Sequence, residues 1–239
     1  DKAEQELRSF ARRFRNHPAL GFYYLRDEPE IGEKDAMIRF WKILKEEDPE
    51  LPVALCLKRY TEKHYLDCAD WLMGDDYPVF NQPFPEAKLT LYSRFIRSLH
   101  TSGRPVIAIA QFFKWPPEVT PQYGFEERRF PNIIELRYMM YSALTSGENF
   151  RGIFWYTYAG ENGVGNKRDY LAKTLPHLKT FSEFIKNLQC TRGKIVQAAQ
   201  NEDVSMIILD GKEGSQVLAV THDSPLPVRY VLMWPEFQI

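Results

Sequence analysis

The stretch LGFYYLRDEPE, Leu20–Glu30, decides how the chain is read. An aromatic, apolar run climbs to Arg26 and breaks at Asp27, Glu28 and Pro29. Aromatic residues packed into a short run favour a strand. Pro29 has no N–H to give a ladder, so the strand stops there. A buried-looking strand thus ends by presenting two adjacent carboxylates.

Outward from that stretch the pattern alternates. Residues 2–15 read as an amphipathic helix, and in 34–47 Met37, Ile38, Phe40, Trp41 and Leu44 recur at helical spacing. PVALCL (52–57) reads as a strand, 61–67 as a short helix, and DWLMGDDYPV (70–79) as a strand running into a loop. A helix follows over 86–101, then the strand RPVIAIAQFF (104–113), a long loop, and a helix over 132–147. GIFWYTY (152–158) is the fifth strand and 168–188 a long helix. Near-continuous apolar strands are buried on both faces, which means parallel pairing. Strand–helix alternation of this kind builds a doubly wound sheet or a (β/α)8 barrel. No G-x-G-x-x-G or P-loop string follows any strand, so the nucleotide-binding version has no support. Polar and aromatic residues gather after the strand ends: Asp27/Glu28, Lys58/Arg59, Asp75/Asp76/Tyr77, Gln111/Lys114/Trp115 and Tyr158/Glu161/Asn162. A barrel enzyme builds its site at that face.

After residue 193 the character changes. GKIVQAAQ, DVSMIILD, SQVLAVTH and PVRYVLMW alternate over short spans separated by turns such as Asp210-Gly211. These read as antiparallel strands of a small β-sandwich over 193–239.

Composition bounds the rest. The 239 residues fit one large domain with or without a small appendage. A net charge of −1 gives no electrostatic reason to expect nucleic acid or an anionic membrane as partner. No apolar run is long enough to span a bilayer. Cys56, Cys68 and Cys190 are widely spaced with no metal-type pairing, and Cys56 reads as a buried free thiol. The five histidines show no metal spacing, and no G-x-S-x-G elbow occurs.

The string HPALGFYYLRDEPE, His17–Glu30, resembles the fourth-strand signature of clan A (β/α)8 glycoside hydrolases and their bacterial relatives. DWLMGDDYPV is similar to their sixth strand, RPVIAIAQFFKW to the seventh, and ELRYMMYSALTSGENFRGIFWYTYAG to the last helix and eighth strand. The resemblance covers residues 1–190 and implies a TIM barrel seen from strand four to strand eight. The expected partner is then the missing N-terminal part of the same barrel, since the chain opens inside a helix as though cut. The resemblance also implies a carbohydrate substrate, no cofactor, and an extracellular or periplasmic location.

By that resemblance Glu28 is the general acid/base, and Asp27 orients it or meets a sugar hydroxyl. Without the resemblance, Glu28 is a helix N-terminal charge. The departure lies on strand seven, where Gln111 stands in place of the family's nucleophilic Glu. An amide has no full charge to stabilise an oxocarbenium centre. Asp76 is the first candidate for the second carboxylate, with Asp75 and Glu161 behind it. Asp75 and Asp76 are adjacent, so alternation lets at most one point inward. The substrate's own 2-acetamido group, or binding without cleavage, are the other ways to do without that Glu. Tyr77, Trp115, Tyr156 and Tyr158 are expected to contact the sugar, with Gln111 and Glu161 hydrogen-bonding it.

Overall fold

The computed structural model describes residues 2–80, 88–115, 128–156, 167–186, 188–196, 204–211 and 216–222. Its main sheet has five strands: β1 (Tyr23–Tyr24), β2 (Val53–Lys58), β3 (Trp71–Asp75), β4 (Val106–Gln111) and β5 (Phe150–Tyr156). They lie side by side in chain order, and each neighbouring pair is parallel. The helices alternate with them: α1 (Lys2–Phe14), α2 (Lys34–Glu47), α3 (Glu62–Tyr65), α4 (Leu89–His100), α5 (Ile133–Leu144) and α6 (Lys167–Lys186). A doubly wound sheet reverses its strand order at a switch point. This sheet never reverses, so its crossovers all lie on one side, which is the winding of a barrel wall.

The two faces of the sheet separate by residue parity. Leu55, Leu57, Leu72, Val106, Ala108 and Ala110 join the large core under α4 and α5. Their neighbours Ala54, Cys56, Met73, Ile107 and Ile109 form a second cluster on the opposite face, with Phe22, Trp71 and Tyr77 packed against it. Burial of both parities is why β4 reads VIAIAQ without a polar break until its last residue. Cys56 and Cys68 are buried and free, as a small apolar role requires. Gly74 lets α4 lie close on β3, because a Cβ there would stand 2.5 Å from Leu99 Cδ1.

The inner face is concave. Strands sit about 4.8 Å apart, so β1 and β5 would be roughly 19 Å apart in a flat sheet. Yet the ring of Phe22, at the entry to β1, stacks on Phe154 of β5 with centroids 6.2 Å apart. Only a sheet curled toward closure brings them together.

β1 is shorter than the five-residue strand expected at GFYYL, but its pairing continues beyond Tyr24. Leu25 N–H donates to Ala54 O, Cys56 N–H to Arg26 O, and Glu28 N–H to Cys56 O. Pro29 is buried and ends the series.

The antiparallel tail begins earlier than expected. β6 (Leu188–Val196), β7 (Val204–Gly211) and β8 (Gln216–His222) form one sheet in that order. Leu188 and Leu209 enter the main core, and Thr145 after α5 shares a 2.8 Å hydroxyl contact with Thr221 of β8. No second antiparallel sheet faces this one among the described residues, and the strand expected at 227–234 lies outside them.

One staple joins the loops at the strand ends. Glu135 in the first turn of α5 is fully buried and bonds both guanidinium nitrogens of Arg129 at 2.6 Å. It also closes a capping box with Asn132, accepting its N–H at 2.7 Å while Asn132 accepts that of Glu135 at 2.9 Å. Arg129 N–H in turn donates to Phe80 O beyond β3. Glu135→Ala removes cap and ion pair together and destabilises by about 3 kcal/mol, measured by urea unfolding. A loss under about 1 kcal/mol would show that solvent already screens the pair.

Candidate functional site

Alternation puts Lys58 of β2 and Asp75 of β3 opposite each other on the inner face, above Cys56 and Met73. Glu28 reaches the same place from the end of the β1 ladder. These residues line a cleft of about 560 Å³ with Arg59, Tyr60, Asp76, Tyr77, Phe80 and Trp115. Glu28 holds φ at +40°, in the left-handed region. That conformation is rare for any residue with a Cβ, and proline at the next position presses it toward extended backbone. The two ladder bonds to Cys56 and the buried Pro29 hold it there, so the strain is stored at the site.

Asp75 is 8% exposed, and its Oδ1 is buried with no hydrogen-bond partner among the described residues. Burial, then the facing Glu28 carboxyl, push Asp75 up to about 8, while the Tyr77 hydroxyl works in the opposite direction. At neutral pH Asp75 therefore keeps its proton. Asp27 stands on the other side. Its Oδ1 accepts the Tyr24 hydroxyl at 2.6 Å, and its carboxylate, the Cys56 sulfur and the Asp75 carboxylate lie within 4.8 Å of one another. Burial pushes the Cys56 thiol and the Tyr24 and Tyr77 hydroxyls up, so all three keep their protons. This is a donor-rich floor under three carboxyl groups. A thiol held protonated is a poor metal ligand.

The ranking of Asp76 over Asp75 changes on this geometry. Alternation does separate the two, but Asp75 is the one that faces Glu28. Asp76 pairs with Arg59 at 3.2 Å, and burial holds it at about 6 against the pull of that guanidinium. Gln111 also stands elsewhere than expected. It is fully buried, its Nε2 donates to Val79 O at 2.7 Å and Phe113 O at 3.1 Å, and its Oε1 accepts Val79 N–H at 2.8 Å. Both amide protons are spent on backbone, so Gln111 fixes the exit of β3 and has none left for a sugar.

The expected aromatic residues assemble into a wall. Tyr77 stacks on Tyr156 at 5.6 Å, Phe113 meets both edge-on, and Trp115 stacks on Phe80 at 5.1 Å with the rings 5° apart. Tyr156 remains half exposed at the end of β5. Tyr158 and Glu161 lie outside the described residues. Tyr60 and Phe80 are cleft residues that sequence reading passed over, although the position of Tyr60 directly after Lys58 and Arg59 was an available signal.

No family model matches the sequence, and no curated protein matches it. Solved structures do. A glycoside hydrolase family 5 protein from Bacteroides vulgatus is 14% identical, with 88% of this chain and 51% of that one covered, at a TM-score of 0.64. A second structure, titled as a glycoside hydrolase, is 13% identical over 88% and 53% of the two chains, at 0.62. A Bacteroides uniformis beta-glucuronidase is 17% identical over 66% of this chain and 21% of its own, at a TM-score of 0.47. The chain thus has a fold found in glycoside hydrolases and spans about half the length of the first two. No described helix is long and apolar enough to cross a membrane.

Asp75 stays protonated in the native state up to about pH 8 but ionises near 4 once unfolded. Across that window the native state binds more protons, so stability falls as pH rises. Asp75→Asn removes this cost. Its advantage over the parent should widen by about 2–4 kcal/mol between pH 4.5 and pH 8, less than the full ~1.4 kcal/mol per unit because the cleft stays partly open to solvent. Thermal unfolding at the two pH values checks this, and a constant gap would mean that Asp75 ionises normally.

Proposed function

We propose that the protein is a glycosidase working by general acid/base catalysis, with Glu28 as the acid/base. The observation that supports this most is the meeting of Glu28 and Asp75 on the concave face of a parallel sheet, at its carboxyl edge, with Asp75 protonated at neutral pH. Glycoside hydrolysis needs a group protonated at working pH beside the leaving oxygen and a second carboxylate near the sugar carbon. Glu28 delivers a proton to the leaving oxygen, drawn from the facing Asp75 carboxyl, which holds one up to about pH 8. Asp27, oriented by the Tyr24 hydroxyl, aligns the attacking group, which is water or the substrate's own 2-acetamido oxygen. Asp76 anchors Arg59 at the cleft wall. Tyr77 and Tyr156 offer ring faces to the sugar, with Trp115 beside them. The substrate is an oligo- or polysaccharide, and the role goes with an extracellular or periplasmic location.

A second reading, a barrel that binds glycans without cleaving them, draws on one observation. β4 ends in Gln111, whose amide is wholly engaged by Val79 and Phe113, so that strand brings no carboxylate to the cleft.

Hydrolysis of aryl glycosides, N-acetylglucosaminides among them, separates the two. Glu28→Gln should lose about a thousandfold in kcat with the fold intact by circular dichroism. Asp75→Asn should keep measurable activity and move the alkaline limb of the pH–rate profile down from about 8. Glycan binding with no turnover of any aryl glycoside by the parent would select the binding reading.

A further inference from the structure

Among the described residues, two without glycine's freedom hold φ in the left-handed region, and both line the cleft: Glu28 and Tyr60. Glu28 is accounted for by the chemistry above. Tyr60 is not accounted for by the fold. It sits in the turn after β2, where Thr61 N–H and its hydroxyl both return to Lys58 O at 3.2 and 2.9 Å. Tyr60 is the third residue of that turn, with φ +73°. Turns fill a left-handed third position with Gly or Asn, because a large side chain there is strained. The chain has placed a tyrosine in it and left the ring 78% exposed, more than any other large apolar side chain described. Packing cannot be the reason, since the ring buries almost nothing.

The ring is nonetheless positioned. The Arg59 guanidinium stands 5.6 Å from its centroid, and Arg59 is itself held by the 3.2 Å ion pair to the partly buried Asp76. A cation over one face orients the ring and leaves the other face free, and Tyr60 lines the cleft. A flat, oriented ring at the rim of a carbohydrate cleft suits the apolar C–H face of a pyranose. We propose that Tyr60 is the platform of a second sugar subsite, so that the cleft takes an oligosaccharide chain rather than a single glycoside. This rests on the carbohydrate reading of the cleft. It adds that binding extends past the sugar held at the carboxylates, toward the end of β2. Asp76 and Arg59 then act as positioning residues, through Tyr60.

The test uses the full chain and four soluble hexaoses built of glucose, xylose, mannose and N-acetylglucosamine. Titration calorimetry on the Glu28→Gln protein, with and without Tyr60→Gly or Tyr60→Trp, reads affinity without turnover. Tyr60→Gly should weaken the best-bound hexaose about tenfold, the factor that ~1.4 kcal/mol of lost contact gives. In the otherwise native protein it should leave kcat/KM for an aryl monoglycoside within about twofold. It should also raise the thermal midpoint, because glycine suits the turn. Tyr60→Trp should restore hexaose affinity. Unchanged hexaose affinity in Tyr60→Gly, or equal losses on hexaose and monoglycoside, would overturn the subsite. So would absence of hexaose binding in the parent variant. The acid role of Glu28 is judged separately, on aryl monoglycosides that do not reach Tyr60.

Discussion

Two backbone hydrogen bonds hold the site: Cys56 N–H to Arg26 O and Glu28 N–H to Cys56 O, each 3.1 Å. They extend the first parallel ladder four residues past its last regular pair. Without them Glu28 would relax from φ +40° and swing away from the sheet. With them its carboxyl is fixed against Asp75, whose own place is set by register opposite Lys58. The strand that supplies them is buried on both faces for this reason, and Cys56 is small enough to let the chain at Arg26–Glu28 come close.

The inner face changes character along its height. Its lower layer is apolar, with Ala54, Met73 and Ile107 sealed from water. Its upper layer holds three carboxyl groups, Asp27, Glu28 and Asp75, that cannot all be charged so near together. The apolar floor supplies the desolvation that raises Asp75, and the hydroxyls of Tyr24 and Tyr77 supply donors without adding charge. A site of this kind lowers stability where it raises reactivity. The Arg129–Glu135 staple ties α5 to Phe80, whose ring stacks on Trp115 at the cleft wall.

Much of the fold was legible because parallel strands and amphipathic helices write themselves in composition and period. VALCLK, VIAIAQ and the helix over 34–47 fall within a residue or two of where their patterns put them. The strand end at Asp27-Glu28-Pro29 marked the site, since proline and paired acids have few other reasons to follow an aromatic run. Contacts that depend on side-chain direction were not legible. Alternation said that only one of Asp75 and Asp76 points inward, but not which, because the phase is set by register against β2. Gln111 looked available because sequence does not show that Val79, 32 residues earlier, returns to consume its amide.

Backbone strain is the signal that sequence hides most completely, and here it is concentrated. The left-handed conformations at Glu28 and Tyr60 stand at the ends of neighbouring strands and open onto one cleft. Neither residue is of a type that suits the conformation, and a glycine or asparagine would serve the backbone better at each. A chain free to choose the relaxed residue at two adjacent strand ends, and choosing a carboxylate at one and an exposed ring at the other, is trading stability for what those side chains meet. Under the proposed function, one end presents a carboxyl group to a glycosidic bond and the other a flat apolar surface to the next sugar.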